Sequence, residues 1–333
     1  MNAFRPIDNA LPGIAAHLPC AGFARLPTPL QRVEIDGRAV WIKRDDLSHP
    51  DYGGNKVRKL EFILAAAQRA GQRRVVTFGA TGTHHGLATA LFCSALGLEC
   101  EVLLFDQPDS AHVRENRARL QASGAICTPC GSLARTVARF YLHPRRLRRD
   151  TLFLFAGGSG ELGTLAFVNA ALELAEQVDV GEAPRPARIY CATSSGSTLA
   201  GLTLGVALAG WDTQVIGVQV ADARLGPFDA CTPKTIQALM RRSLRWLERR
   251  ELHWPADWPE VLLDDRWLGP GYGHPTVAAE QAATAFEQAV GVALDLTYTA
   301  KAFAALRASS INSFEVTINL VLKCKAGIFG FFM

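Results

Sequence analysis

The chain has 333 residues, 49% of them hydrophobic and 20% charged, which is the composition of a globular protein and excludes a mainly disordered one. Thirty-five basic against thirty-one acidic residues leave a net charge of +4, too small an excess to mark a nucleic-acid-binding protein without a concentrated patch. The longest mostly apolar stretch, Leu199 to Trp211, has 13 residues with glycines among them, short of the about 20 that a membrane helix needs.

The N-terminus carries Arg5 and Asp8 among prolines and has no apolar signal core, so a cytoplasmic protein is expected. From Arg38 onward, short β-branched or apolar runs alternate with longer helical patterns. Strands are predicted at Ala39–Lys43, Arg74–Phe78, Cys100–Phe105, Ala125–Thr128, Leu152–Phe155, Arg188–Ala192 and Val215–Val220. Helices are predicted at Lys56–Ala70, His85–Leu96, Ala111–Ser123, Leu162–Glu176, Thr198–Ala209 and Thr232–Arg250. Such alternation argues for a largely parallel α/β sheet with right-handed crossovers, and the number of strands favours two α/β domains. No repeat, low-complexity tract or polar linker is visible.

Eight scattered cysteines in a cytosolic chain read as reduced, buried side chains. Cys127-Thr128-Pro129-Cys130 has the spacing of a redox dithiol or of half a zinc site. No second such pair exists to complete four ligands, so no metal is expected. The arginine-rich stretches at Pro144–Arg149 and at Arg241, Arg242, Arg245, Arg249 and Arg250 read as solvated faces.

Four turns carry the chemistry. In Gly53-Gly54-Asn55-Lys56 a lysine opens a helix after two glycines. Glycine admits a close approach of a bound group, and an electropositive helix start favours a lowered lysine pKa and amine nucleophilicity. The alternative is an ordinary solvated lysine. Thr193-Ser194-Ser195-Gly196-Ser197-Thr198 follows an apolar strand and opens a helix, an arrangement that can cradle a phosphate or simply cap the helix. Gly79-Ala80-Thr81-Gly82-Thr83-His84-His85-Gly86 can hold a carboxylate on its N–H groups, and Gly157-Gly158-Ser159 precedes a helix in the same manner. Tyr272 and Tyr298, each near glycines or hydroxyls, are either phenolic acid/base groups or packed tyrosines.

Taken together these segments resemble the pyridoxal-phosphate enzymes of fold type II, specifically the D-cysteine desulfhydrase and 1-aminocyclopropane-1-carboxylate deaminase group. The resemblance runs from Leu26-Pro27-Thr28-Pro29-Leu30 to about Lys301, and Gly53-Gly54-Asn55-Lys56-Val57-Arg58-Lys59-Leu60 is its most specific match. It implies a two-domain, three-layer α/β/α fold like that of the tryptophan synthase β chain, with pyridoxal 5'-phosphate between the domains. A large domain would comprise residues 1–57 and 168–333, and an inserted small domain residues 58–167. The family's cofactor-bearing lysine maps to Lys56, with Asn55 beside it, and its phosphate loop to Ser195, Gly196, Ser197 and Thr198. Its paired tyrosines map to Tyr272 and Tyr298. Thr83, His84, His85 and Ser159 would hold the substrate carboxylate, and Thr83 would also take part in catalysis. The resemblance further implies a small amino-acid substrate and a homodimer.

Departures from the pattern bear on substrate. The family's Gln-Ser-Asn-His turn reads Gly82-Thr83-His84-His85, so His84 stands where an asparagine contacts the cofactor's phenolic oxygen. Thr299 follows Tyr298 where the deaminases carry a glutamate, and it is the family-aligned hydroxyl left to serve the ring nitrogen. A hydroxyl supports the protonated ring less than a carboxylate does. D-cysteine, converted to pyruvate, sulfide and ammonia, is therefore expected ahead of cyclopropane opening. A non-catalytic ligand-binding descendant is the rival reading, and a phosphate-sugar or nucleotide binder using the Ser195 loop ranks last. The segment from Ile311 departs altogether and ends Phe331-Phe332-Met333. It is expected to pack poorly, to expose Phe329, Phe331 and Phe332, and to be dispensable for soluble yield.

Overall fold

The computed structural model describes residues 3–225, 228–309 and 315–318. In chain order the elements are α1 (Ile7–Ala10), β1 (Leu30–Ile35), β2 (Arg38–Lys43), α2 (Asn55–Arg69), β3 (Arg74–Ala80), α3 (His84–Ala95), β4 (Glu99–Phe105), α4 (Ala111–Ala122), β5 (Ile126–Gly131), α5 (Leu133–Tyr141), β6 (Thr151–Phe153), α6 (Glu161–Asp179), β7 (Arg188–Thr193) and α7 (Ser197–Leu208). There follow β8 (Gln214–Gln219), the short hairpin β9 (Arg224–Leu225) and β10 (Phe228–Asp229), α8 (Pro233–Glu248), β11 (Leu262–Asp264), α9 (Val277–Val290), α10 (Thr299–Arg307) and β12 (Glu315–Ile318).

The strands form two main sheets. One has six strands in the order β1-β2-β12-β7-β8-β11 and the other four in the order β5-β4-β3-β6. All their pairings are parallel except β1 with β2. Each sheet buries both faces, as parallel sheets must. On β7, Ile189 and Cys191 pack with α6, α7 and α8, whereas Tyr190 packs with α9 and α10. On β3, Val75 packs with α2 and α3, and Val76 and Phe78 pack toward Phe140 of α5. Period-two alternation thus sorts each strand's side chains into two cores and gives three α/β/α layers.

Helices α6 and α7 are apolar on nearly every side and are buried from Gly163 to Ala175 and from Ser197 to Val206. Helix α2 packs between the sheets, giving Val57, Leu60 and Leu64 to the four-stranded side and Phe62 to the core around α6. It begins at Asn55, so a domain boundary at 57/58 falls inside its first turn. Among the described residues no helix is long and apolar enough to cross a membrane, and no group of three or more potential ligands gathers to hold a metal.

Part of the segment after Ile311, expected to pack poorly, is a paired strand. Strand β12 fills the slot between β2 and β7, with Val316 opposite both Trp41 and Ile189. The expected exposure of Phe329, Phe331 and Phe332 lies outside the described residues. The dithiol reading of Cys127 and Cys130 also falls. Both sit on β5, and their thiols turn to the separate carbonyls of Ala125 and Thr128. Arg146 is more than a solvated charge, since its guanidinium lies 4.6 Å from the centre of the Phe153 ring.

Candidate active site

The turn before α2 is built around Asp45. The Gly54 N–H donates to the Asp45 carbonyl at 2.6 Å, and a methyl group at Gly53 would overlap the carbonyl of Asp46. Only glycine fits there, which explains the paired glycines physically. Arg58, one turn into α2, is fully buried and forks between Asp45 (2.7 and 3.0 Å) and Glu173 of α6 (2.8 and 2.9 Å). These charge-assisted bonds anchor the first turn of α2 against α6.

That turn presents Lys56. Its amine donates to Asn55 Oδ1 at 3.0 Å, and among the described residues no carboxylate pairs with it. The side chain is half-buried, and desolvation of the amine lowers its pKa to about 8. Lys59, one turn further on, is buried and donates to the carbonyl of Gly157 at 3.1 Å. Burial, reinforced by the charge of Lys56, holds its pKa well below the ordinary lysine value.

Three hydroxyls converge before α7. Ser159 Oγ lies 2.6 Å from Ser195 Oγ and 3.1 Å from Ser197 Oγ. Helix α7 starts after Gly196 with no side-chain cap, and Ser197 and Thr198 lie buried in its first turn. The first N–H groups of any helix lack intrahelical partners, so this end is a ready anion site. Gly157 closes the cradle, because a methyl group there would overlap the Ser195 hydroxyl. Ser159 is expected among the carboxylate-binding residues, but the structure hydrogen-bonds it into the 195–197 loop instead.

The turn before α3 has Thr83 as N-cap, accepting from the Gly86 N–H at 3.1 Å. The ring of His85 cannot serve a carboxylate as the sequence reading supposes. It is buried, with Nε2 2.9 Å from Thr77 Oγ1, and that hydroxyl donates to the Leu154 carbonyl. The hydrogen between His85 and Thr77 must therefore sit on Nε2, and Nδ1 is left as a buried lone pair without a partner. Burial, with Lys56 and Lys59 nearby, keeps the ring neutral by lowering its pKa well below the usual value. A carboxylate at this turn would meet N–H groups, not the His85 ring.

His84 Nδ1 lies 3.0 Å from the Tyr52 hydroxyl, and His84 Nε2 lies 3.6 Å from Asp295 Oδ2. The phenols of Tyr272 and Tyr298 are hydrogen-bonded to each other, and burial raises the pKa of both, so both are protonated at neutral pH. Thr299 is 1% exposed, and its hydroxyl lies 3.0 Å from the Asp295 N–H and 3.2 Å from the Asp295 carbonyl. The hydroxyl is thus engaged in closing the first turn of α10. Tyr52, Lys59 and Asp295 have no role in the sequence reading. Lys59 carries a usable signal, being a second lysine at i+3 on the same helix face.

The family model for pyridoxal-phosphate dependent enzymes matches residues 23–318, and the chain belongs to that family. It is a pyridoxal-phosphate-dependent enzyme of fold type II. Among solved structures, an ACC deaminase homologue is 25% identical, with a TM-score of 0.76, covering 96% of this chain and 94% of that one. A threonine deaminase from T.th. is 17% identical, with a TM-score of 0.61 and coverage of 88% and 92%. A fungal L-serine ammonia-lyase from Rhizomucor miehei is 16% identical, with a TM-score of 0.60 and coverage of 89% and 94%. The last two share the fold alone. The residues present fit the cofactor, since a desolvated amine with no carboxylate partner among the described residues stands on the same helix face as a second amine that touches Gly157 of the hydroxyl cradle.

Proposed function

We propose that the protein is a lyase or deaminase of a small amino acid, with D-cysteine as the substrate, converted with water to pyruvate, hydrogen sulfide and ammonia. The observation that carries the reading is Lys56, an amine lowered to about 8 by desolvation and standing free of any carboxylate partner among the described residues. Pyridoxal phosphate, when bound, supplies an electron sink for the bond being broken. Lys56 holds the cofactor covalently, and its amine moves the substrate's α-proton once the substrate has displaced it. Asn55 keeps the amine in place through its carbonyl oxygen. Ser195, Ser197, Thr198 and Ser159, with the N–H groups after Gly196, hold the phosphate, and Lys59 supplies the opposite charge beside them.

The Thr83 hydroxyl and the first N–H groups of α3 hold the substrate carboxylate. The hydrogen-bonded pair Tyr272 and Tyr298, both protonated at neutral pH, deliver a proton at the leaving group. Threonine at 299, in place of an acidic residue, supports elimination over ring opening. The same reading divides the chain into a large unit, 1–57 with 168–333, and a small unit, 58–167, in a cytoplasmic homodimer.

The spectrum of the protein mixed with pyridoxal phosphate tests the first step. An absorbance band near that of a protonated Schiff base is expected, and Lys56→Ala abolishes it. A wild-type protein without the band would overturn the reading. Sulfide release from D-cysteine, assayed beside 2-oxobutanoate release from 1-aminocyclopropane-1-carboxylate, decides the substrate. Likeness to an ACC deaminase homologue favours the second substrate as the alternative. The band without turnover of either substrate would favour a protein that binds without catalysis.

A further inference from the structure

The chain between β11 and α9 is a strap of irregular backbone, residues 265–276. Gly269, Pro270 and the run from Gly273 to Pro275 are exposed. Tyr272 turns inward from the same strap, and its phenol is hydrogen-bonded to that of Tyr298. The strap holds itself only loosely. Its backbone bonds from Leu268 to Asp265 and from His274 to Gly271 are both long, at 3.4 Å. The place of Tyr272 must therefore be set by what the strap is tied to.

Lys301 makes one such tie. It lies one turn into α10, is 0% exposed, and donates from its amine to the Leu268 carbonyl at 2.7 Å. An amine donates whether charged or neutral, so the bond does not depend on its protonation. Tyr298 stands three residues earlier, where the same helix opens, and residues so spaced share a helix face. The start of α10 thus grips the strap twice, at the Leu268 backbone through Lys301 and at the Tyr272 ring through Tyr298.

Other ties fix the strap elsewhere. The Trp267 indole N–H donates to Asp264 at 3.0 Å and holds the entry to β11. At the exit Thr276 caps α9, and a methyl group at Gly269 would overlap the Thr276 side chain. Those contacts set the strap on the sheet and on α9, whereas Lys301 sets it on the helix that carries Tyr298. We propose that Lys301 is a positioning residue for Tyr272, keeping its phenol on that of Tyr298 by tying Leu268 to α10. The inference rests on Tyr272 belonging to the site proposed above.

Fluorine NMR of the full-length protein labelled with 3-fluorotyrosine tests it. The chain has five tyrosines, so single Tyr→Phe variants assign each signal. With the two phenols bonded, Tyr272→Phe shifts the Tyr298 signal. In a Lys301→Met background most of that shift is expected to be lost. Methionine is close to lysine in length and costs less to bury than an amine, so the variant is expected to fold. If it does not, the same reading is taken from Lys301→Gln, which is polar but one bond shorter. Tyr190, which packs with α9 and α10 from the sheet, is the control, and its signal is expected to stay in place. A Tyr298 shift of full size in the folded variant overturns the proposal. So does a Tyr190 signal that moves as well, because Lys301 would then support α10 as a whole. Neither substrate nor turnover enters the measurement, so its failure and the failure of the proposed reaction are distinguishable.

Discussion

The ε-amine of Lys59 stands one helical turn beyond Lys56 and reaches the carbonyl of Gly157, the glycine packed against the Ser195 hydroxyl. Two amines on one helix face disfavour each other's charge. An anion between them and the cradle relieves both. Lys59→Met should therefore weaken binding of pyridoxal phosphate by about ten- to a hundredfold, in line with the loss of one charge-assisted bond. Pyridoxal, which lacks the phosphate, should lose little. Titrating both compounds into wild type and variant checks this, and equal losses would show that Lys59 acts on the helix and not on the phosphate.

The lowered pKa of Lys56 sets a pH course for cofactor capture. Only the neutral amine attacks a carbonyl, and desolvation places the midpoint at about 8. Below that, the capture rate by cofactor-free protein should rise about tenfold per pH unit, and above it the rate should level off. Stopped-flow absorbance measures the course. A rate still climbing at pH 10 would mean an ordinary, solvated lysine.

Acid should release the anchor of α2. Glu173 is buried, and although burial alone would raise its pKa, the charges of Arg58 and Lys43 lower it to about 2. A carboxyl with a folded pKa below its unfolded value of 4.5 stabilises the fold fully above 4.5, and that contribution is lost as pH falls toward 2. Denaturant midpoints should drop across that window in the wild type, and Glu173→Gln should flatten the drop. At pH 7 the same variant leaves Arg58 half-paired and should cost about 3–5 kcal/mol.

Ending the chain at residue 310 should abolish soluble expression. The truncation removes β12 and leaves β2 and β7 facing an open slot, with unpaired N–H and C=O groups on both strands. Soluble, cooperatively melting truncated protein would show that the two neighbours can close on each other.

Much of this architecture is legible in the order of residues alone. Apolar runs bounded by glycine mark β3, β4, β7 and β8, and small-residue turns mark the starts of α3 and α7. Other elements have weaker signals. Leu30–Ile35 is an edge strand whose polar–apolar alternation covers only Arg32 to Ile35, too short a signal to stand out after Pro27 and Pro29. Helix α9 is rich in alanine, which leaves little apolar periodicity, although Thr276 caps it by accepting from the Ala279 N–H. The Lys56 turn is readable because its chemistry is contiguous. The link from Tyr52 through His84 to Asp295 is not, since those residues meet only when the two sheets are brought together.

The position of β12 also has a consequence for synthesis on the ribosome. The chain emits β1, β2, β7, β8 and β11 first, yet the strand that joins β2 to β7 appears only at residues 315–318. Until then the six-stranded sheet exists as two pieces, each with an apolar edge ready to pair with a neighbouring nascent chain. The four-stranded sheet, complete by Phe153, has no such delay. Newly made protein should therefore depend on chaperones that shield strand edges, and slower translation should not help it, because the missing piece arrives only after the strands it must join.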